Sequence, residues 1–377
     1  MFSRGGTIRL PWNGLDLRQP MIAESSHETL TFALVGCVSC TQELSQLAFV
    51  RLARRFAFVK IARRAILAER RAKLRFWLGL LLINLATVSS AAVDQPKRPP
   101  ITGISHIAFY VHDLAAADRF YGYILGGAKA PDPEDAVGTR YYFGNQFIEV
   151  LPASKTGRPG MLAHVAYSTP DVSDLRAYFL AHGSHPGEQR AGPDGSRWFT
   201  IPDPEGNPIQ FVAGGRAPTT QPQGSISHRI IHVGYLVHNR AAEDSFYRGL
   251  LGFRPYWFGA MHENAVDWVS QQVPDGRDWL EYMMVGPGST VPLASVNDRE
   301  LGVLNHVSLA VENMERAVTS LYADHRLPER HDGPSMGRDG KWQANVYDPD
   351  GTRVELMEYH AVAKPCCSGF TAADPAP

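Results

Sequence analysis

The chain has 377 residues, of which 44% are hydrophobic and 20% charged, a composition that excludes disorder throughout. Its 37 basic and 38 acidic residues leave a formal net charge of -1, which argues against a broad nucleic-acid interface. At roughly 100–200 residues per domain, the length allows two or three domains. The four cysteines lie near the termini and cannot form a disulfide scaffold: Cys37, Cys40, Cys366 and Cys367.

Residues 67–92 have the layout of a secretory signal peptide. Residues 51–75 carry ten Lys/Arg and one acid, and an apolar stretch at 76–88 follows, ending in small residues. The stretch is shorter than the roughly 20 residues that a bilayer span needs. We therefore expect cleavage after Ala91 or Ala92 and export to the periplasm or the medium. The alternative is a membrane anchor formed by an uncleaved signal.

The segment before this signal fits poorly, because signal peptides begin at the N-terminus. We expect residues 1–66 to be a non-native extension upstream of an internal start, or disordered. Cys37 and Cys40 would then be missing from the mature protein. Residues 93–100 are rich in proline and charge and are predicted to form a linker.

From residue 101 onward the sequence repeats one pattern four times. Each copy opens on a β-rich run with a histidine at the same place: His106, His164, His232 and His306. A helical pattern follows an Asp or Asn cap, at Asp113, Asp171, Asn239 and Asn313. Each copy closes on a strand that carries Glu149, Gln210, Glu281 or Glu355, with spacings from the histidine of 43, 46, 49 and 49 residues. The pattern predicts an α+β chain of four tandem βαβββ modules.

The modules are expected to pair into two domains. Modules one and two give domain 1 at residues 101–215, and modules three and four give domain 2 at residues 226–361. A polar, proline-rich linker at 216–225 separates them. Residues 362–377 show no periodicity and are predicted to be a disordered tail, with its two cysteines as bystanders.

These features together resemble the vicinal oxygen chelate superfamily, which includes glyoxalase I, extradiol dioxygenases, certain epimerases and bleomycin-resistance proteins. The resemblance rests on the histidine-bearing first strand, on a Phe-Tyr helix followed by Leu-Gly-Gly or Leu-Gly-Phe at 125–127 and 251–253, and on the Asp-Pro-Glu/Asp-Gly turns before two closing strands. It covers residues 101–360. It implies that the paired modules curl into open, U-shaped mixed sheets around a metal.

The repeated positions would give each domain a candidate metal site. Two imidazoles with one or two carboxylates can hold a divalent ion such as Fe(II), Zn, Ni or Mn, with positions left for substrate or water. Domain 2 presents His232, Glu281, His306 and Glu355. Domain 1 presents a weaker set, because an amide replaces the final acid: His106, Glu149, His164 and Gln210.

The resemblance leaves two reactions open. His232, His306 and Glu355 look like the facial triad of a ring-cleaving extradiol dioxygenase, which holds Fe(II). Glu281 departs from that pattern, and the set of four resembles glyoxalase I, a lyase in which a ligand carboxylate moves the proton. Glu281 is therefore a candidate catalytic residue as well as a candidate ligand.

The usual acid–base tyrosine of extradiol enzymes has no match on the strand before Glu355. Asn345 stands in its place, and Tyr347 follows two residues later. Tyr347 and His262 are the other candidate catalytic residues, and Lys341 could serve in the same role.

The expected partner is a small molecule, aromatic or otherwise apolar, because tryptophans cluster in the strand segments: Trp198, Trp257, Trp268, Trp279 and Trp342. No nucleic acid is expected, nor a stable membrane span if the signal is cleaved. The oligomeric state is left open. A third hypothesis is a protein that binds or sequesters its ligand without turning it over, as bleomycin-resistance proteins do.

Overall fold

The computed structural model of the protein describes residues 96–153, 160–215, 217–218, 222–292 and 303–377. These residues belong to one compact unit, Ala92–Pro377. The predicted N-terminal extension, the signal peptide and parts of both linkers lie outside the described residues. Within the described ranges, no helix is long and apolar enough to cross a membrane.

Domain 1 contains two βαβββ modules, as predicted. The first consists of β1 Gly103–Val111, α1 Leu114–Ala117 with a π-helical continuation Asp118–Ile124, β2 Ala128–Pro131, β3 Thr139–Phe143 and β4 Gln146–Pro152. The second consists of β5 Leu162–Ser168, α2 Val172–Ala181, β6 Arg190–Ala191, β7 Arg197–Pro202 and β8 Pro208–Ala213.

Domain 2 repeats this order. Its first module consists of β9 Ile230–Val237, α3 Arg240–Asp244 with a π-helical continuation Ser245–Leu250, β10 Arg254–Gly259, β11 Trp268–Gln272 and β12 Trp279–Met284. Its second consists of β13 Leu304–Val311, α4 Met314–Ala323, β14 His331–Met336, β15 Trp342–Tyr347 and β16 Arg353–Glu358.

Each domain forms one eight-stranded mixed sheet, and the two sheets share one topology. The strand orders are β2-β3-β4-β1-β5-β8-β7-β6 and β10-β11-β12-β9-β13-β16-β15-β14. The first strands of paired modules lie side by side and antiparallel in the centre, and each pairs in parallel with the closing strand of its own module. The predicted fold, two domains with open U-shaped sheets, is confirmed.

The predicted caps start all four helices. The Asp113 side chain accepts hydrogen bonds from two backbone amides of the first turn. Asp171, Asn239 and Asn313 each accept one from the amide three residues later. These oxygens satisfy backbone donors that a helix start leaves unpaired, so local sequence alone fixes where each helix begins.

One hydrophobic core runs through both domains. The helices bury large apolar side chains against the sheets, and the core continues across the domain boundary. Tyr167 of domain 1 meets Phe253 of domain 2 edge to face, with ring centroids 5.3 Å apart. The two domains therefore share packing that holds their sheets in a fixed relation.

The Asp-Pro-Glu/Asp-Gly turns join the domains in two matching contacts. Asp350 accepts a hydrogen bond from the His112 amide at 2.9 Å and lies 2.7 Å from its Nδ1. Glu205 makes the same pair of contacts with His238, at 2.7 and 2.9 Å. These turns thus connect module four to module one and module two to module three.

The C-terminal tail differs from its prediction. It contains no helix or strand, yet it lies against domain 2. The Thr371 amide donates to the Tyr256 carbonyl at 2.9 Å, and the Ser368 hydroxyl bonds the Phe258 backbone. These contacts follow β10, an edge strand whose backbone groups are free to pair with an added segment. Cys366 and Cys367 are disulfide-bonded to each other.

Candidate metal centres

Four neighbouring strands of domain 2 bring its predicted ligands together. His232 lies on β9 and His306 on β13, and the carboxylates lie on the flanking strands β12 and β16. Glu281 is in register with Gly234 of β9, and His306 pairs with the same glycine from the other side. Because side chains alternate along a strand, this register puts all four side chains on one face.

The side chains meet at short distances. The two Nε2 atoms of His232 and His306 are 2.8 Å apart, and Glu355 Oε2 is 3.1 Å from His232 Nε2. Ligand atoms of these three residues all lie within 4.8 Å of one another. Glu281 Oε2 is 3.4 Å from His306 Nε2 and 3.9 Å from His232 Nε2. The structure thus assembles the complete predicted set in domain 2.

Gly234 makes this arrangement sterically feasible. A Cβ atom at this position would lie 2.1 Å from Cε1 and 2.5 Å from Nδ1 of His306. A larger residue here would require the His306 ring to shift from its present position, because real Cβ contacts are never that short. The sequence carries this signal only as Gly-Tyr after the histidine, which nothing in the repeat pattern marks as special.

The electrostatics of the domain 2 cluster suit a cation. Burial alone would raise the pKa of Glu355, but a hydrogen bond from His232 and the charges of His232, His306 and Arg353 bring it below its usual value. Burial, with Arg353 and His232, holds the pKa of His306 well below its usual value. The cluster therefore offers an ionised carboxylate beside a neutral imidazole, the protonation states that a metal ligand needs.

The residues of domain 2 fit a divalent ion on their own chemistry. His306 Nδ1 lies 2.9 Å from the Asn305 side-chain oxygen and 2.8 Å from the Arg353 guanidinium, and these contacts orient the ring with its Nε2 atom towards His232. Two Nε2 atoms face each other with two carboxylates close by, and none of these groups would satisfy the others when deprotonated. A shared cation resolves the conflict. His232, His306, Glu355 and Glu281 would hold it.

Domain 1 assembles a similar cluster. The Nε2 atoms of His106 and His164 are also 2.8 Å apart, and Glu149 Oε2 is 3.7 Å from His106 Nε2. These three residues form a second group within 4.8 Å. Gln210 is hydrogen-bonded outside this group, since its side-chain nitrogen donates to Glu134 Oε2 at 2.8 Å. The Gln210 oxygen is buried and has no hydrogen-bond donor.

A buried arginine distinguishes the domain 1 cluster. Arg140 on β3 is in register with Glu149, and its guanidinium bonds Asp132 at 2.9 Å and Glu134 at 2.8 Å. It also lies over the Phe147 ring at 4.2 Å. The equivalent residue of domain 2, in register with Glu281, is Ser270. Domain 1 therefore has a fixed organic cation where domain 2 has a small neutral hydroxyl.

The arginine and its partners change the protonation of the domain 1 cluster. Burial, with the charge of Arg140, lowers the pKa of His164 to about 4. Burial, with the negative charges of Asp132 and Glu134, raises the pKa of Glu149 well above its usual value. Glu149 is thus held towards its protonated form, which is a poor metal ligand. The set fits a metal less well than that of domain 2.

The other predicted catalytic residues lie apart from the cluster. His262 is exposed on the turn between β10 and β11, and no contact with the cluster is present among the described residues. Tyr347 lies at the end of β15, where its hydroxyl donates to Asp332 at 2.6 Å and Arg330 stacks on its ring. Asn345 is in register with Glu355, and its buried side-chain oxygen has no donor.

The tryptophans divide between the site and the rest of the protein. Trp279 stacks on the His232 ring with centroids 4.5 Å apart. It belongs to a buried group, here called the aromatic cluster, that consists of Ile231, Tyr256, Trp257, Trp279, Ala310, Met357 and Tyr359, with Trp268, Phe370 and Ala372 packed against it. Trp198 lies in a separate small cluster of domain 1, and Trp342 is 37% exposed.

Comparison with known proteins agrees with this architecture. Residues 103–211, most of domain 1, match the model of the Glyoxalase/Bleomycin resistance protein/Dioxygenase superfamily. Domain 2 has the same module order and sheet topology as that matched region. This match and the shared topology agree with the resemblance to the vicinal oxygen chelate superfamily. No curated protein matches the chain by sequence.

Several solved structures share the fold at low identity. Homoprotocatechuate 2,3-dioxygenase from Brevibacterium fuscum, in complex with 3,4-dihydroxyphenylacetate, is 18% identical with a TM-score of 0.54, over 72% of this chain and 85% of that one. The 2,3-dioxygenase LapB from Pseudomonas sp. KL28 is 16% identical with a TM-score of 0.53, over 74% and 96%. A Mn(II)-bound glyoxalase from Novosphingobium aromaticivorans is 18% identical with a TM-score of 0.51, over 69% and 83%.

Proposed function

We propose that this protein is a metal-dependent enzyme whose site lies in domain 2, and that it transfers a proton next to a chelated oxygen of a small substrate. The substrate would present two neighbouring oxygens, in the manner of glyoxalase-type lyases and isomerases. The main support for this type of reaction is Glu281, which lies within 4 Å of both imidazoles as a fourth possible metal ligand. A facial triad would need only His232, His306 and Glu355.

The burial of the four residues supports different roles for the two carboxylates. The side chains of His232 and His306 are fully buried, and that of Glu355 is 6% exposed. The Glu281 side chain is 13% exposed, the most open of the four. Ser270 donates a hydrogen bond to Glu281 Oε1 at 3.1 Å, which orients the group and leaves Oε2 towards the imidazoles. Glu281 is therefore placed to move a proton, while Glu355 stays in place.

In this mechanism the chain's own residues bind, orient and exchange the proton. A divalent ion, when bound, would polarise a chelated oxygen and acidify the neighbouring C–H. Glu281 takes the proton on Oε2 while the Ser270 hydroxyl holds Oε1, and it returns the proton to the adjacent atom of the substrate. Trp279, stacked on His232, and the aromatic cluster exclude water from this side of the site.

A second candidate is a ring-cleaving dioxygenase. Its support is that His232, His306 and Glu355 form a compact group without Glu281. The hydrogen bond from Ser270 could hold Glu281 back from the ion and leave three positions open for a catechol and dioxygen. The lack of a tyrosine at Asn345 weighs against this reading.

The two candidates are separated by activity assays on the mature protein and on Glu281→Gln. A Ni- or Zn-loaded protein should convert a thiol hemithioacetal, and Glu281→Gln should lose this activity while it keeps most of the metal. Glu149→Gln in domain 1 is the matched control and should behave as wild type. Dioxygen uptake by the Fe(II)-loaded protein with catechol would favour the dioxygenase instead. If Glu281→Gln holds metal but retains full hemithioacetal turnover, the proton-transfer role is wrong.

A protein that only binds its ligand is the remaining alternative. It predicts ligand binding with neither activity, and metal content that does not change in His232→Ala and Glu355→Ala. We also propose export of the mature protein, on the strength of the signal-like residues 67–92. N-terminal sequencing of the protein from its own host tests this: a mature start at residue 92 or 93 supports it, and a retained signal supports the anchor.

A further inference from the structure

A buried lysine lies at one end of the aromatic cluster of domain 2. Lys341, immediately before β15, is 0% exposed. Its ammonium donates to the Tyr256 hydroxyl at 3.0 Å, to the Tyr359 carbonyl at 2.9 Å and to Asp374 Oδ1 at 2.9 Å. A buried ammonium needs a negative partner, because the cost of removing it from water is several kcal/mol. Asp374 is the residue that supplies this partner in a direct ion pair.

The lysine lies one aromatic ring away from the candidate metal centre. Lys341 Nζ is 5.1 Å from the centroid of the Trp279 ring, and that ring stacks on His232 with centroids 4.5 Å apart. Lys341 also immediately precedes β15, whose Asn345 is in register with Glu355. An anion bound to Lys341 would therefore lie beside a molecule held at the metal centre.

The negative partner comes from the C-terminal tail, which has no regular structure of its own. Asp374 is three residues from the end of the chain, and its side chain is 21% exposed whereas that of Lys341 is fully buried. Burial alone would raise the pKa of Asp374, but hydrogen bonds from Tyr256 and Lys341 bring it below its usual value. The tail thus delivers an ionised carboxylate to a pair of buried donors.

The buried lysine has no counterpart at the equivalent position of domain 1. The equivalent position in domain 1, also 14 residues before the closing-strand ligand position, is Ser196. Its hydroxyl donates to Asp194 at 2.6 Å within the same turn. The fold therefore does not require a buried cation here, and Lys341 is an addition specific to the domain with the better metal centre.

We propose that Lys341 and the Tyr256 hydroxyl form an anion-binding subsite, that Asp374 occupies it in the unliganded chain, and that the substrate carries a carboxylate that replaces Asp374. The assignment of this anion to the substrate rests on the proposed function of domain 2. Asp374 then acts as an internal mimic of the substrate carboxylate. Release of the tail would open the aromatic end of the site at the same time.

Binding of benzoate, with benzyl alcohol as the uncharged analogue, tests the subsite. Tryptophan fluorescence reports the binding, since Trp279 is in contact with Lys341. Full-length protein with Asp374→Asn should bind benzoate about tenfold more tightly than wild type, because the internal competitor has lost its charge. The double variant Lys341→Met/Asp374→Asn should lose this gain. Affinity for benzyl alcohol should not change in either variant.

Two further measurements keep the result interpretable. Lys341→Arg/Asp374→Asn should keep the tighter benzoate binding, which separates loss of a cation from general disruption. Metal content should stay at the wild-type level in all these variants, because none of the changed residues is a proposed ligand. The subsite is wrong if Asp374→Asn leaves benzoate affinity unchanged or if the Lys341→Met double variant retains the gain. A wild-type protein without metal but with the expected benzoate response would overturn the proposed function alone.

Discussion

Domain 1 and domain 2 have the same topology and the same pair of histidines, and they differ in the charged groups beside those histidines. In both, two imidazole nitrogens lie 2.8 Å apart on the central pair of strands. Opposite the first carboxylate, domain 1 has Arg140 and domain 2 has Ser270. The arginine brings Asp132 and Glu134 with it, and Glu134 in turn engages Gln210. Similar ligand positions therefore need not give similar metal sites, because the neighbouring charges decide the protonation states of the histidines and carboxylates.

The carboxylates show this difference most clearly. The pKa of Glu149 is raised by burial and by the acids around Arg140, whereas the pKa of Glu355 is lowered, against burial, by His232 and other cationic groups. Domain 1 therefore balances its buried charges internally, through an organic cation and two acids. Domain 2 leaves its carboxylates facing the imidazoles, and an added cation would complete the balance.

Removal of the domain 1 arginine should have the largest effect on stability. Arg140→Met leaves the buried Asp132 and Glu134 without their partner, and loss of one side of a buried ion pair costs about 3–5 kcal/mol. We expect a loss of about 3 kcal/mol in the free energy of unfolding at pH 7, measured by urea denaturation. Ser270→Ala, the matched change in domain 2, should cost less than about 1 kcal/mol. Equal losses of stability in the two variants would mean that Arg140 does not take the structural place of a metal ion in domain 1.

Substitution of Gly234 in domain 2 should have the next largest effect, a loss of metal affinity. Gly234→Ala puts a Cβ atom 2.1 Å from His306 Cε1, so the imidazole must move. Metal affinity should fall by about 100-fold, at the upper end of what misplacing a ligand through its surroundings costs. Isothermal titration with Zn measures this. The equivalent residue of domain 1, in register with His164, is already an alanine, Ala108, and Ala108→Gly should leave the affinity unchanged. A small effect of Gly234→Ala would show that the position of the His306 ring does not depend on this glycine.

The contacts between the domains offer a smaller test, on pH dependence. Burial, with Asp203 and Glu205 nearby, raises the pKa of Glu243 from 4.5 to about 8. Between these values the folded chain holds a proton that the unfolded chain has released, so this group makes stability fall as pH rises from 4.5 to about 8. Module one has Ala117 at the equivalent position and lacks this effect.

Glu243→Gln should remove that dependence. The variant should match wild type near pH 4.5 and exceed it by about 1–2 kcal/mol at pH 8.5 in urea denaturation, a range that allows for solvent screening. Glu188→Gln is the control, because the Glu188 side chain is 90% exposed. A stability difference that is the same at both pH values would refute the raised pKa.

The repeat made the fold predictable from sequence, since each module carries its own strand period, helix cap and turn. The recurrence of histidine and carboxylate also predicted the members of both clusters. What the sequence could not show depends on contacts between distant residues. In the sequence, Arg140 is a single charged residue in an aromatic strand, and only the strand register shows that it lies opposite Glu149. In the sequence, Asp374 belongs to a tail without any pattern. Only the structure shows that it accepts a hydrogen bond from Lys341, 33 residues earlier in the chain.

We infer that domain 2 holds the ion and that Arg140 takes its place in domain 1. The metal content of the mature protein from its own compartment distinguishes the two domains. Elemental analysis should find one divalent ion per chain in wild type and in His106→Ala, and none in His232→Ala. Two ions per chain, or an ion that is lost in His106→Ala and retained in His232→Ala, would show that domain 1 binds a metal.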